Sequence, residues 1–188
     1  MSSPQSLLPR RVLLADPAPV GRDFTTLALH NCGIPQVDAV ANGTEAAQFL
    51  ATASQPVDCI LADVAMEQGN GLQLLQAIRC GGISRVRADI CFMLPADSWT
   101  PQILLAAKAL DVHGVILRPA GSDLLARQIL AARKRSFRLD VARYRDLSVL
   151  TPLQETRLLA KVAPFVVELT RIPFQQQFQI LEAIWARL

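Results

Sequence analysis

The sequence lacks the clusters of cysteine and histidine that build most protein metal sites. Its 188 residues include four cysteines and two histidines. The cysteines lack the close spacing and neighbouring histidines of a zinc site, and they lie at Cys32, Cys59, Cys80 and Cys91. Cys59 and Cys91 fall within apolar runs, which predicts buried thiols that act as small hydrophobic side chains. His30 and His113 are isolated, so we expect surface or helix-capping roles for both.

Long apolar stretches and strong charge are also missing. The first residues have no apolar core of signal-peptide length, and no run approaches the length of a membrane span. Residues 1–9 are therefore predicted to form a flexible tail of a cytoplasmic protein, where cysteines stay reduced. A net charge of +3 indicates no particular partner, and 51% hydrophobic residues provide a core for one domain plus an appendage.

One stretch, VDCILADVAMEQGNGL at Val57–Leu72, combines a buried-type strand with an acid and a glycine turn. The run before Asp63 is apolar without alternation, as in parallel strands that are covered on both faces. Asp63 would then lie at the carboxyl end of the strand, where ligands collect in open α/β sheets. The alternative is an aspartate that simply begins a loop.

The rest of the chain repeats this pattern of strand and helix. Arg11–Ala15 is a second apolar run that ends in an acid, Asp16. Further strands are predicted at Gln36–Val40, Ala88–Leu94 (stopped by Pro95) and Gly114–Leu117, and helices at Pro19–Cys32, Glu45–Ala53, Leu72–Arg79, Thr100–Val112 and from Ser122 through Ala132.

Five strands that alternate with five helices predict an α/β fold with right-handed crossovers and a doubly wound, five-stranded parallel sheet. In the flavodoxin-like strand order 2-1-3-4-5, the first and third strands are neighbours. Asp16 and Asp63 should therefore lie side by side at the switch point of the sheet.

Residues 10–135 resemble the CheY-like receiver domain of two-component response regulators. The motifs that carry the resemblance occur in the family's order and spacing, and they are LLADPAPVGR, NGTEAA, DVAMEQGNGLQLL and VILRP. The resemblance implies that Asp63 is the phospho-acceptor for a histidine kinase or phosphotransfer protein. It also implies a Mg²⁺ site at Asp16, Asp63 and the Ala65 backbone, with Arg118 in the place of the family's lysine.

The sequence departs from the family pattern at two functional positions. Pro17 replaces the second acid, which is the one expected to touch Mg²⁺, and proline offers no side-chain oxygen. Pro95 replaces the switch threonine or serine. Two interpretations remain, namely an Asp63 that is phosphorylated slowly or by a dedicated donor, and a pseudo-receiver whose state phosphate does not set. Because phosphoryl transfer depends on positioning and charge neutralisation, the two losses favour the pseudo-receiver and weak Mg²⁺ binding at best.

Residues 136–150 form a basic linker that the pattern allows to continue the last receiver helix. Between Arg133 and Asp146, at the end of the receiver-like domain and in this linker, six basic residues stand against two acids, and they are Arg133, Lys134, Arg135, Arg138, Arg143 and Arg145. A solvated helix face accounts for them, and the alternative is a transcription regulator that contacts DNA through this bridge. Residues 151–188 are nearly balanced in charge and interrupted by Pro164, which argues against DNA binding by this part.

The spacing of apolar residues in Pro173–Leu188 predicts an α-helical C-terminal extension with one broad apolar face. Its members are Phe174, Phe178, Leu181, Ile184, Trp185 and Leu188. Such a face must be buried, either in a helical hairpin within the chain or against a second copy or a protein partner. We therefore expect a signalling protein that acts through protein contacts of residues 151–188 and is neither a membrane protein nor an enzyme in its own right.

Overall fold

The computed structural model describes residues 7–147, which build a five-stranded sheet with all strands parallel. The strand order is β2-β1-β3-β4-β5, as predicted. The strands are β1 (Arg11–Ala15), β2 (Gln36–Val40), β3 (Cys59–Ala62), β4 (Cys91–Ala96) and β5 (Gly114–Leu117). The helices are α1 (Pro19–Asn31), α2 (Gly43–Thr52), α3 (Gly71–Arg79), α4 (Pro101–Ala109), α5 (Ser122–Ala132) and α6 (Val141–Asp146).

Helices cover both faces of the sheet, which explains the apolar runs without alternation. Leu13 and Ile60 belong to a core cluster with residues of α2, α3 and α4. Their neighbours Leu14 and Leu61 point the other way, into a second cluster with residues of α1 and α5. The apolar side chains of β1 and β3 therefore enter one core or the other, as expected for a parallel sheet between two helix layers.

The start of α3 is fixed tightly against the end of β3. Asn70 and Gln73 form a capping box, in which the Gln73 N–H donates to Asn70 Oδ1 at 2.9 Å and the Asn70 N–H donates to Gln73 Oε1 at 3.0 Å. A Cβ at Gly71 would lie 2.6 Å from the carbonyl oxygens of both Ala62 and Asp63. Only glycine allows this approach, which holds the backbone of Asp63 in place.

The prediction that Pro95 stops β4 is wrong, because the strand continues to Ala96. Proline removes a backbone donor and is normally excluded from central strands. Here β4 pairs with β3 only from Cys91 to Met93, whereas Pro95 pairs only with Ile116 of β5. At Pro95 the strand therefore has one neighbour, and the missing N–H costs little.

The predicted flexible tail needs a correction at its end, since Leu8 and Pro9 are buried. Leu8 packs in the α1/α5 core cluster. Leu8 therefore covers the end of that cluster next to β1. Burial of its side chain favours an ordered position for this part of the tail.

The last receiver helix does not continue through the basic linker. Helix α5 ends at Ala132, residues 133–140 are not helical, and α6 is a separate short helix that contacts α3. Gln76 of α3 donates from Nε2 to the carbonyl oxygens of Tyr144 at 2.7 Å and Leu147 at 2.8 Å. Phe137, Val141 and Tyr144 are spaced as on one helix face, but they do not belong to one long helix.

The surface role predicted for His113 is also wrong, whereas His30 is exposed near the end of α1. His113 is buried, and its Nδ1 accepts a hydrogen bond from the Phe92 N–H at 3.2 Å. Burial and the neighbouring guanidinium of Arg79 lower the pKa of His113 to about 4. The imidazole is therefore neutral at physiological pH and serves as a hydrogen-bond acceptor inside the fold.

Among residues 7–147, no helix has the length and apolar character needed to cross a membrane. The predicted interaction face at Phe174, Phe178, Leu181, Ile184, Trp185 and Leu188 lies outside the described residues.

Candidate functional site

Two buried aspartates lie side by side where β1 and β3 end. Ala15 and Ala62 are register partners, so the residues that follow them, Asp16 and Asp63, leave the sheet at the same edge. The Asp63 N–H donates to the Ala15 carbonyl oxygen at 2.9 Å, which extends the pairing to the acid itself. Each aspartate is 1% exposed, so the paired strands place two carboxyl groups in one water-poor pocket.

Arg118 joins the two carboxylates. It follows β5, and its backbone N–H donates to the Ala96 carbonyl oxygen at 2.9 Å. Its Nη1 pairs with Asp16 Oδ2, and its Nη2 pairs with Asp63 Oδ2. The Nε of the same guanidinium lies 3.0 Å from Oδ1 of the exposed Asp97. One planar cation therefore bridges both buried acids and one surface acid.

Backbone N–H groups donate hydrogen bonds to the other oxygen of each carboxylate. The Ala18 N–H donates to Asp16 Oδ1 at 2.8 Å, and the Ala65 N–H donates to Asp63 Oδ1 at 2.6 Å. A Cβ at Gly21 would lie 2.9 Å from Asp16 Oδ2, so α1 approaches this acid closely. Each acid thus has one oxygen on a backbone donor and the other on Arg118.

The pKa values of Asp63 and Arg118 are both raised in this pocket, but for different reasons. Burial raises the pKa of the Asp63 carboxyl, although the Ala65 N–H and the Arg118 charge oppose the shift. Burial alone would lower the pKa of Arg118, but Asp63, Asp16 and Asp97 outweigh it and raise that pKa. Arg118 is therefore a permanent cation, and the Asp63 carboxylate depends on it.

The two prolines add no polar group to this site. Pro17 is exposed directly after Asp16, and Pro95 is buried in β4. Neither side chain has an oxygen, so neither ligates a metal nor donates a hydrogen bond. Within residues 7–147 no group of three histidine, cysteine, aspartate or glutamate side chains is arranged to hold a metal ion. The carboxylates present are paired with a guanidinium, which is a poor fit to an octahedral Mg²⁺ site.

The mouth of the site is apolar. A pocket of about 330 Å³ lies beside Arg118 and is also lined by Gly21, Phe24, Pro95 and Leu125. Phe24 is 50% exposed, so this apolar side chain of α1 faces solvent beside the site. The contact of Asp97 with Arg118 was not predicted, because an acid in the loop after β4 has no distinguishing pattern.

The comparisons with known proteins agree with this geometry. The family model "response regulator receiver domain" matches residues 12–129. A receiver domain of a Clostridium thermocellum histidine kinase is 25% identical, with a TM-score of 0.56, and the match covers 66% of this chain and 98% of that one. Chemotaxis protein CheY4 of Vibrio cholerae is 22% identical, with a TM-score of 0.55 and coverage of 63% and 94%.

A third similar structure contains a metal. The receiver domain of the sensor histidine kinase PA1611 from Pseudomonas aeruginosa PAO1 has a magnesium ion coordinated in its active site cleft. It is 18% identical, with a TM-score of 0.56, and the match covers 67% of this chain and 98% of that one. The curated proteins include no match. Because the family model matches more than half of the residues, the chain belongs to the response regulator receiver family.

Proposed function

We propose that this chain is a two-component signalling protein whose receiver domain is a pseudo-receiver, acting as a regulatory interaction module without catalytic output of its own. The observation that carries the proposal is the guanidinium of Arg118, which pairs with both Asp16 and Asp63. The phospho-acceptor position is kept, but its carboxylate is already neutralised by a cation that belongs to the protein.

In this proposal Arg118 takes over the charge neutralisation that Mg²⁺ provides in a receiver domain such as that of PA1611. A bound Mg²⁺ would need an octahedral set of oxygens, and two of the oxygens at hand are held by Arg118. Asp16, Asp63 and the Ala65 carbonyl would be its ligands, and Pro17 supplies none. Metal binding therefore requires the guanidinium to leave, so we expect weak affinity for Mg²⁺.

The same arrangement opposes phosphoryl transfer to Asp63. A carboxylate attacks phosphorus through one oxygen, and Oδ1 of Asp63 accepts from the Ala65 N–H while Oδ2 pairs with Arg118. No hydroxyl at Pro95 is available to hold a transferred group. Since this chemistry depends on positioning and charge stabilisation, both losses slow it.

The partner of this module is proposed to be a protein, through residues 151–188, with a histidine kinase or phosphotransfer protein as a further candidate at the site. Exposed apolar side chains beside the site would support such a contact, and they are Val20, Phe24 and Leu27 on α1. The DNA alternative gains no support from the bridge, because Arg143 pairs with Asp111 of the receiver domain.

Incubation of the full chain with acetyl phosphate and Mg²⁺, followed by intact-mass measurement, tests the proposal. We expect no phosphate adduct on the wild-type chain. The triple variant Pro17→Asp/Pro95→Thr/Arg118→Lys restores the acid, the hydroxyl and the family's lysine, so it serves as the positive control and should acquire an adduct. An adduct on the wild-type chain that is absent from Asp63→Ala would overturn the pseudo-receiver proposal.

A further inference from the structure

A second pocket lies at the edge of the sheet opposite Asp63. It has a volume of about 700 Å³ and is reached where β3 and β4 begin and where α5 ends. Its apolar lining comes from Leu50, Val57 and Ile90. This volume is within the range of pockets that hold small organic ligands, and it exceeds what a single inorganic ion needs.

Four arginines from two separate parts of the chain line this pocket. Arg85 and Arg87 precede β4, and Arg133 and Arg135 follow α5. Burial lowers the pKa of Arg135, so its guanidinium has lost part of its hydration. Several cations brought to one concave site repel one another, and a bound anion would relieve that repulsion.

The two aspartates of the pocket already accept hydrogen bonds from protein donors. Asp58 Oδ2 accepts from the backbone N–H groups of Arg10 at 2.7 Å and Arg11 at 3.0 Å. Asp89 pairs with Arg87 at 2.6 Å, on an exposed rim. The lining therefore has four arginines against two aspartates whose carboxylates already accept from other donors, which leaves the pocket with a net positive charge.

We propose that this pocket binds a nucleotide-sized organic phosphate. Guanidinium groups bind phosphate through paired charge-assisted hydrogen bonds, and Arg85, Arg133 and Arg135 would supply them. The uncharged part of the ligand would lie on Leu50, Val57 and Ile90. The pocket shares no lining residue with the acidic site, so its occupancy would give the module a small-molecule input that does not use Asp63.

Isothermal titration calorimetry of the full chain with ATP and with GTP tests this inference. Pyrophosphate and adenosine are the matched probes, since each has only one half of the expected ligand. We expect at least one nucleotide to bind more tightly than both probes, by about tenfold, and its affinity to fall as salt is raised.

Variants assign the binding to this pocket. Arg85→Gln/Arg133→Gln should weaken nucleotide binding by about tenfold or more, because two guanidinium contacts to phosphate are lost. Arg138→Gln is the control. It removes one positive charge from an exposed arginine outside the pocket and should leave the affinity for nucleotide unchanged. Thermal unfolding of each variant checks that the fold is retained.

Three results would overturn the inference. The first is the absence of binding heat with both nucleotides. The second is equal affinity for pyrophosphate and nucleotide, which would show that the organic part of the nucleotide does not contribute to binding. The third is binding of a duplex DNA oligonucleotide that the double variant loses while neither nucleotide competes. That result would assign these arginines to nucleic acid instead.

Discussion

Arg118 determines the electrostatics of the acidic site. Its guanidinium has a fixed fork that reaches Asp16 and Asp63 at once and still presents Nε to Asp97. A lysine ammonium is a single point charge and cannot match both carboxylates in the same plane. The proposed function therefore rests on this replacement of the family's lysine by arginine, which places a cation of the protein itself between the two carboxylates.

Removal of this cation should destabilise the protein in a pH-dependent way. In Arg118→Met, two buried carboxylates lose their partner, and we expect a loss of about 3 to 5 kcal/mol at about pH 7.5. The pKa of Asp63 is already raised by burial and should rise further without Arg118. A raised pKa means that the folded state prefers the protonated acid, so stability falls as pH rises through that value and is regained below it.

Urea unfolding at about pH 7.5 and about pH 5 measures this difference. The variant should be closer to the wild-type chain at the lower pH, where a proton replaces the lost cation. Arg118→Lys keeps the charge and is the control, with a smaller loss at both pH values. Equal losses for Arg118→Met at the two pH values would contradict this account of the site.

At the scale of elements, α6 is the main feature of the segment after α5. Tyr144 is fully buried, and its hydroxyl donates to Asp111 Oδ2 at 2.6 Å. Arg143 pairs with the same carboxylate oxygen. Gln76 donates to two carbonyl groups at the end of α6, which satisfies backbone acceptors that a six-residue helix leaves open. The helix is thus attached to both α3 and the loop after α4.

The Tyr144→Phe substitution tests how much this attachment contributes. It keeps the ring and removes one hydrogen bond to a carboxylate, so we expect a loss of about 1.5 to 3 kcal/mol in the free energy of unfolding. Val141→Ala in the same helix changes a side chain that is 38% exposed and should cost less than about 1 kcal/mol. Chemical denaturation measures both, and equal effects would show that the Asp111 contact is not stabilising.

The sequence predicted the five strands and their order, chiefly because β1, β3, β4 and β5 contain apolar runs, whereas the edge strand β2 includes the polar residues Gln36 and Asp38. It also predicted that Asp16 and Asp63 would be neighbours, since that follows from the strand order alone. Helix α6 could not be predicted, because its docking depends on Gln76 and Asp111, which lie far away in the sequence. The buried role of His113 was missed for the same reason, because Arg79 and Phe92, which contact its ring, are distant in the sequence.

At the scale of the whole molecule, the described residues carry different chemistry at the two edges of the sheet. The acidic site lies at the carboxyl ends of β1 and β3, and the arginine-lined pocket lies where β3 and β4 begin. Helix α6 and Gln76 of α3 hold Leu147, the last residue that the structure describes.

The apolar face predicted at Phe174, Phe178, Leu181, Ile184, Trp185 and Leu188 leads to a prediction about assembly. Two helices alone make a thin core, so a second copy that completes a four-helix arrangement would bury this face better. We expect light scattering to give a dimer mass for the full chain and a monomer mass for a chain that ends at Leu147. Phe178→Glu/Trp185→Glu should abolish the dimer, whereas Gln175→Glu/Gln176→Glu adds the same charge outside the face and should preserve it. Equal monomer masses for the full and shortened chains would remove the dimer and leave a protein partner as the occupant of this face.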